Sequence, residues 1–338
     1  MNLKQNIIYV YDSLIKIFVC IIILIISSTS PLNSDEIKVM SYNLCNYFVN
    51  GDKLTPIKSD FSKEALFNTI KSADPDIFIA IEIGGEKSYQ DFLNNLKKFG
   101  LKYDFHETTQ GEDDSRHIVL LSRIKPKEFF VITDLKYKIK IKDTNSYDEI
   151  GPQRAFVHVV YEFSPNYRLH IIGAHLKARI FHPRYNQTDM RRYEARLLRY
   201  LVNQILEKEK DANILIMGDM NDTYDSSPIR TLRDDNKKPE MKLYDLRPTD
   251  KWNLSWTHWW NQNDSYSRID YAFATFYLLP EISMEKSYIV HVPELWMFAS
   301  DHRPILITIN TKDKPPLQKE FIDKRFPPLP EKITTEED

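Results

Sequence analysis

Cysteine is almost missing from this chain: its 338 residues hold two, Cys20 and Cys45. One pair of thiols cannot build a disulfide framework or a Cys-based zinc site, so stability has to come from a packed core. A hydrophobic content of 42% is ample for one. A positive charge excess is missing too. Residues 1–34 carry two Lys and one Asp, and residues 311–338 carry six basic and seven acidic side chains, which leaves 38 basic against 40 acidic groups between them. The central stretch therefore has no overall basic bias of the kind that announces a nucleic-acid-binding protein. Internal repeats are absent, and the apolar run 17–26 is too short to cross a bilayer comfortably.

That run instead has the form of an export signal over residues 1–30. Lys4 and Lys16 precede it, and the small residues Ser27, Ser28, Thr29 and Ser30 follow. A retained membrane anchor is the competing reading, because residues 7–11 would lengthen the apolar stretch. Removing the signal takes Cys20 with it and leaves Cys45 without an intramolecular partner. At the other end, residues 311–338 are rich in Lys, Pro and Glu and contain Pro315-Pro316 and Pro327-Pro328. They read as a disordered or surface-draping tail.

Short β-branched runs at 37–42, 77–81, 118–121, 156–161, 169–174, 213–217, 269–274 and 303–309 have strand length. Helical periodicity appears at 63–73, 87–99 and 188–208. The last of these places Met190, Leu197, Leu198, Leu201 and Ile205 on a core-facing stripe, with Thr188 as N-cap. Two packed sheets with helices outside fit this α/β order better than a purely parallel sheet.

Several of these strands stop at residues able to bind metal or handle protons. Val39-Met40-Ser41-Tyr42 runs into Asn43, 77–81 into Glu82, 169–174 into His175 and 214–218 into Asp219, while Asp301-His302 opens the last run. Singly, each has an ordinary alternative. Glu82 could be a solvated strand terminus or a ligand for a hard cation. Asp219 and Asn221, two apart in Gly218-Asp219-Met220-Asn221, could form an Asx turn or position a water. Asp270 is a candidate to accept one ring proton of a histidine and fix its tautomer. Strand ends gather on one edge of a sheet, so together these groups form a candidate site. Carboxylates and amides, without a cysteine cluster or paired metal-spaced histidines, suit Mg²⁺ or Mn²⁺ better than Zn²⁺. Such an ion would bind a phosphoryl oxygen.

The ordered set Tyr42-Asn43, Ile81-Glu82, Arg154, His175-Leu176-Lys177, Gly218-Asp219-Met220-Asn221, Arg268-Ile269-Asp270-Tyr271 and Ser300-Asp301-His302-Arg303-Pro304 resembles the endonuclease/exonuclease/phosphatase superfamily over residues 36–310. The resemblance implies a four-layered αββα sandwich, in a catalytic domain over 35–310, and metal-dependent hydrolysis of phosphoester bonds. By the same resemblance Glu82 is the principal metal ligand, with Asn43 and Asp301 beside it. Asp219 and Asn221 orient or activate the attacking water, and His302 pairs with Asp270. His175 contacts phosphate or protonates the leaving group, and Arg154 binds phosphate.

One position departs from the family. Its secreted deoxyribonucleases place an acid before the strand at 118–121 to pair with the His175-like residue, whereas this chain has Arg116-His117, with Asp113 and Asp114 upstream. Lys177 and Arg179 follow His175 closely enough to touch a phosphate chain. All five Trp lie between 252 and 296, where they either pack beneath the site, stack on bases or dip into lipid. The leading expectation is an exported nuclease. A phospholipid, sphingomyelin or inositol-phosphate phosphoesterase and a non-catalytic binding module are the alternatives.

Overall fold

Alternating side chains of the central strands face two different apolar layers, which is why those strands read as unbroken apolar runs and not as period-two patterns. The computed structural model describes residues 35–49, 56–234 and 238–326, so the expected signal or anchor at 1–30 and the end of the tail lie outside the described residues. The strands are β1 (Glu36–Tyr47), β2 (Ile77–Ile83), β3 (Phe105–Thr108), β4 (His117–Ser122), β5 (Glu128–Ile132), β6 (Tyr137–Lys140), β7 (Tyr147–Ile150), β8 (Phe156–Ser164), β9 (Tyr167–His175), β10 (Asn213–Asp219), β11 (Leu243–Asp245), β12 (His258–Trp260), β13 (Ser265–Ser267), β14 (Asp270–Thr275), β15 (Ile282–Ile289) and β16 (Ile305–Asn310). The main helices are α1 (Asp60–Ala73), α2 (Glu86–Lys98), α3 (Gln187–Lys208), α4 (Ser227–Arg233), α5 (Trp296–Ala299) and α6 (Lys319–Arg325).

Two six-stranded mixed sheets form, in the orders β15-β16-β1-β2-β4-β3 and β11-β14-β10-β9-β8-β5. Ile79, Ile81, Ile171, Leu215, Met217 and Ile307 meet in the core between the sheets. The alternate residues Met40, Phe78 and Leu306 face the layer that holds Leu66 and Phe92 of α1 and α2. Ile172, Ile214 and Ile216 face Leu198 and Ile229 of α3 and α4. This is the αββα sandwich the resemblance implies.

Both sheets have the same centre: a parallel pair, β1 with β2 and β9 with β10, each flanked by antiparallel neighbours. The C-terminal ends of the parallel pairs carry Asn43, Glu82, His175 and Asp219, while the antiparallel partners β14 and β16 begin at that same edge with Asp270 and the Asp301-His302 loop. The topology therefore brings the motif residues to one mouth.

Two local expectations change. Asn186, not Thr188, caps α3, its side chain accepting from the N–H groups of Thr188 and Asp189. Residues 311–326, the described part of the tail, are also more structured than a loose tail. Lys314 N–H donates to Glu281 at 2.8 Å, and α6 docks Ile322 in the inner core.

Candidate active site

Local backbone geometry builds the mouth. Gly218 has φ +152°, and a Cβ there would lie 1.8 Å from the Ala174 carbonyl oxygen, so only glycine lets β10 run this close to β9 before delivering Asp219. Four of the ten non-glycine residues with positive φ among the described residues lie at the same edge, Cys45 at 51°, Asn46 at 56°, Glu82 at 66° and Asn221 at 52°. Such conformations cost free energy and concentrate at functional sites. Asn46 N–H donates to Glu82 Oε2 at 2.9 Å, tying the bend after Asn43 to the bend at Glu82.

Asp219 sits at the centre and is buried. Its Oδ1 accepts from Asn221 N–H at 2.8 Å, so the Asx turn forms. Its Oδ2 accepts from Asn43 Nδ2 at 3.0 Å and faces His175 Nε2 at 3.7 Å and His302 Nε2 at 3.8 Å. Burial, with the negative charge of Asp270 adding to it, pushes the Asp219 carboxyl up to about 7. Asn221 turns its Nδ2 to Leu176 O at 3.0 Å.

His302 Nδ1 lies 2.8 Å from Asp270 Oδ2, which aims its Nε2 at Asp219 and, 4.0 Å away, at Asp301. Burial opposes protonation of this ring, but Asp270 and Asp219 outweigh it and hold its pKa well above the usual histidine range. His175 is the opposite case. It is buried, and the positive charges of Arg154, His302, Arg116 and Lys177 add to that burial in keeping it neutral. Neither of its ring nitrogens has a hydrogen-bond partner among the described residues, although Nε2 lies 3.7 Å from Glu82 Oε1.

The departure noted before β4 has a structural consequence. Asp113 pairs with Arg154 Nη2 at 2.9 Å, with Arg116 Nη1 3.9 Å from the same oxygen. Arg116 Nε in turn donates to Asn46 Oδ1 at 2.8 Å. Arg154 is buried, and its Nε and Nη1 have no partner among the described residues. Lys177 is buried beside it, with Nζ near the carbonyls of Ala178 and Ile180. Arg179 is drawn away from the centre: it pairs with Asp222 and donates to Asn221 O at 3.2 Å. Arg191 and Arg199 of α3 are buried against Asp222 and the Leu232 and Met241 carbonyls. Here the geometry favours internal capping over solvation.

The oxygen donors Asn43, Glu82 and Asp301 fit a hard divalent cation. Carboxylates crowd this mouth: burial chiefly raises the Asp219 carboxyl, and the negative charges of Asp270 and Glu82 add to it, charge that a bound cation would offset. Sequence reading missed His258. Its Nε2 lies 3.8 Å from Asp301 Oδ2 and its ring centroid 4.7 Å from that of His302. In the sequence it is a lone histidine within Trp256-Thr257-His258-Trp259-Trp260, without a metal-ligand spacing to a second histidine. The tryptophan rings do not form a buried floor: Trp252 and Trp260 are 50% and 51% exposed, and the other three are partly buried.

The family model for the endonuclease/exonuclease/phosphatase family matches residues 40–302. No curated protein sequence matches the chain. Among solved structures, a humanized D. rerio TDP2 carrying 14 mutations is 18% identical, with a TM-score of 0.52, covering 82% of this chain and 100% of that one. The human Nocturnin catalytic domain with a bound sulfate anion is 13% identical, with a TM-score of 0.52, covering 82% and 95%. A Staphylococcus aureus beta toxin structure is 16% identical, with a TM-score of 0.53, covering 80% and 99%. At these identities the likeness carries the fold alone.

Proposed function

The chain belongs to the endonuclease/exonuclease/phosphatase family, whose members hydrolyse phosphoester bonds with divalent metals, and from that premise we propose that it is a Mg²⁺-dependent phosphodiesterase, with nucleic acid as the favoured substrate. The observation that carries this reading is the buried set His302-Asp270-Asp219, in which one oxygen of Asp219 faces His302, His175 and Asn43 together.

Asn43, Glu82 and Asp301 would hold the ion. When bound, Mg²⁺ (or Mn²⁺) offsets negative charge on a non-bridging phosphoryl oxygen. Asp270 accepts the Nδ1 proton of His302 and fixes the ring, leaving Nε2 on the reaction side. Asp219, with a carboxyl raised toward neutrality, shares custody of the attacking water's proton with His302, and this coupled group has no single owner of it. Asn221 braces Asp219 through its backbone N–H. His175, kept neutral, serves as a hydrogen-bonding group to phosphate and not as a proton source. The two Arg154 nitrogens that lack partners among the described residues would donate to phosphate oxygens, with Lys177 in support. Arg179, committed to Asp222, contributes through that pair.

Nucleic acid is favoured because the cations Arg154, Arg116 and Lys177 surround His175, while the exposed rings of Trp260 and Tyr266 offer stacking faces. A phospholipid substrate is the second reading. It is favoured by Phe61, Met297 and Phe298, which are exposed close to the Ser300-Asp301 loop, with the Phe61 and Phe298 rings 5.0 Å apart. Export directed by residues 1–30, with anchoring as the alternative, belongs to the same proposal, and the N-terminus of protein recovered from the medium checks it.

The deciding experiment is nicking of supercoiled plasmid by the purified full chain in Mg²⁺, beside EDTA and His302→Ala controls. Nicking abolished by both controls is expected. Failure to nick by folded protein that releases headgroup from vesicles transfers the site to lipid, and turnover of neither substrate overturns the phosphodiesterase reading.

A further inference from the structure

His258 has no place in the reaction just described, yet its surroundings are those of a metal ligand. Its Nδ1 is 3.4 Å from Ser267 Oγ, and its Nε2 points at Asp301 Oδ2, 3.8 Å away. His302 repeats the pattern, with Nδ1 on Asp270 at 2.8 Å and Nε2 4.0 Å from Asp301 Oδ1. Two imidazoles thus engage an oxygen through one ring nitrogen and turn the other toward opposite oxygens of one carboxylate. An outer hydrogen bond of this kind fixes the tautomer and direction of metal-bound histidines.

The frame is rigid as well. His258 and His302 face each other across an isolated antiparallel bridge. That bridge is closed by Trp259 N–H donating to Asp301 O at 2.8 Å and Arg303 N–H to Thr257 O at 2.7 Å. The three ligand atoms lie within 4.8 Å of one another. Two bonds of roughly 2.0–2.2 Å from an ion to nitrogen and oxygen span at most about 4.4 Å, so the three side chains have to close on the ion to hold it. Two imidazoles and a carboxylate suit Zn²⁺-class ions, whereas Mg²⁺ takes oxygen.

We propose that His258, Asp301 and His302 form a site for a borderline divalent cation of the Zn²⁺ class, and that filling it withdraws His302 from hydrolysis. The ion takes the Nε2 lone pair that faces Asp219, and any proton there passes to solvent. The inhibitory half rests on the roles given to His302 and to Asp301 above; the binding half does not.

The test separates the two. Co²⁺, a spectroscopically visible stand-in for Zn²⁺, is titrated into the full chain with Mg²⁺ present, and the affinity for Zn²⁺ is measured by calorimetry. Intense visible d–d absorption is expected for the parent chain. His258→Phe, which keeps a ring against His302, should abolish that absorption and weaken Zn²⁺ binding at least tenfold. Zn²⁺ should also inhibit Mg²⁺-supported turnover, at tenfold higher concentration in the variant when each protein is normalised to its own rate. His258→Gln serves as the second variant, with circular dichroism confirming the fold. Absence of d–d absorption from the folded parent, or spectra and affinities unchanged in both variants, overturns the site. Binding that depends on His258 without inhibition overturns only the coupling to His302.

Discussion

With Nδ1 of His302 held by Asp270, and the backbone N–H of Asp270 held at 3.0 Å by Thr257 Oγ1, the imidazole has one tautomer that leaves Nε2 free to exchange a proton at Asp219. Asp270→Asn keeps the shape but offers an amide N–H to Nδ1, which favours the wrong tautomer and removes the charge that holds the His302 pKa up. The expected outcome is a kcat lower by about 10²- to 10⁴-fold, by analogy with an amide replacing the acid of a hydrolase triad, with a smaller change in KM. Steady-state kinetics with circular dichroism as a folding control checks it, and a kcat within tenfold of the parent would sink this role for Asp270. At this scale much was legible. Asn43, Glu82, His175, Asp219, Asp270 and His302 each close or open an apolar run, and the fold gathers them. The pairing of Asp113 with Arg154 and the approach of His258 to Asp301 were not legible, because both depend on where loops between strands return.

Central strands announce themselves because both faces are covered. All eight apolar runs lie at least largely within strands, whereas β3, β7 and β13 leave no such signal because they are four residues or fewer, half-exposed and short of apolar residues. The outer face of β8 and β9 carries a less expected pair, His158 Nε2 3.0 Å from His170 Nδ1, with His170 Nε2 3.4 Å from Glu209. Burial, joined by the charges of His170 and Arg168, drops the His158 pKa to about 3, and burial likewise lowers that of His170 against the pull of Glu209. Both rings are neutral in either state above about pH 6.5. As pH falls from there toward 3, the unfolded chain binds protons that the folded pair refuses, so the folded state loses stability through that window. In urea unfolding at pH 7.5 and pH 5, His158→Asn, which keeps a polar partner for His170, should lose less stability (or gain more) on going to pH 5 than the parent does. Equal pH dependence in parent and variant would remove the pair from this account.

At the scale of the whole molecule, the segment after β16 closes the end of the sandwich opposite the mouth. β16 enters at the active edge and ends with Asn310 paired to Glu36, after which the chain turns back across Glu281. Phe326 then meets Tyr244 with ring centroids 5.8 Å apart, at the end of β14 far from Asp270. Composition alone, heavy in Lys, Pro and Glu, gave no sign of this, because the docking rests on few side chains, chiefly Ile322 at 3% exposure, with Leu317 and Phe326 beside it. Those contacts seal an inner core shared by both sheets, so their loss should weaken the whole fold without moving a catalytic atom. Ile322→Ala should therefore cost about 2–5 kcal/mol, the usual range for truncating a fully buried isoleucine, read as a lower urea midpoint with unchanged slope. At a temperature where the variant is fully folded, kcat/KM for the phosphodiester should stay within twofold of the parent. A variant of full stability would show that the segment only rests on the surface, and a matched fall in kcat/KM of folded protein would show that this end of the sandwich is coupled to the mouth.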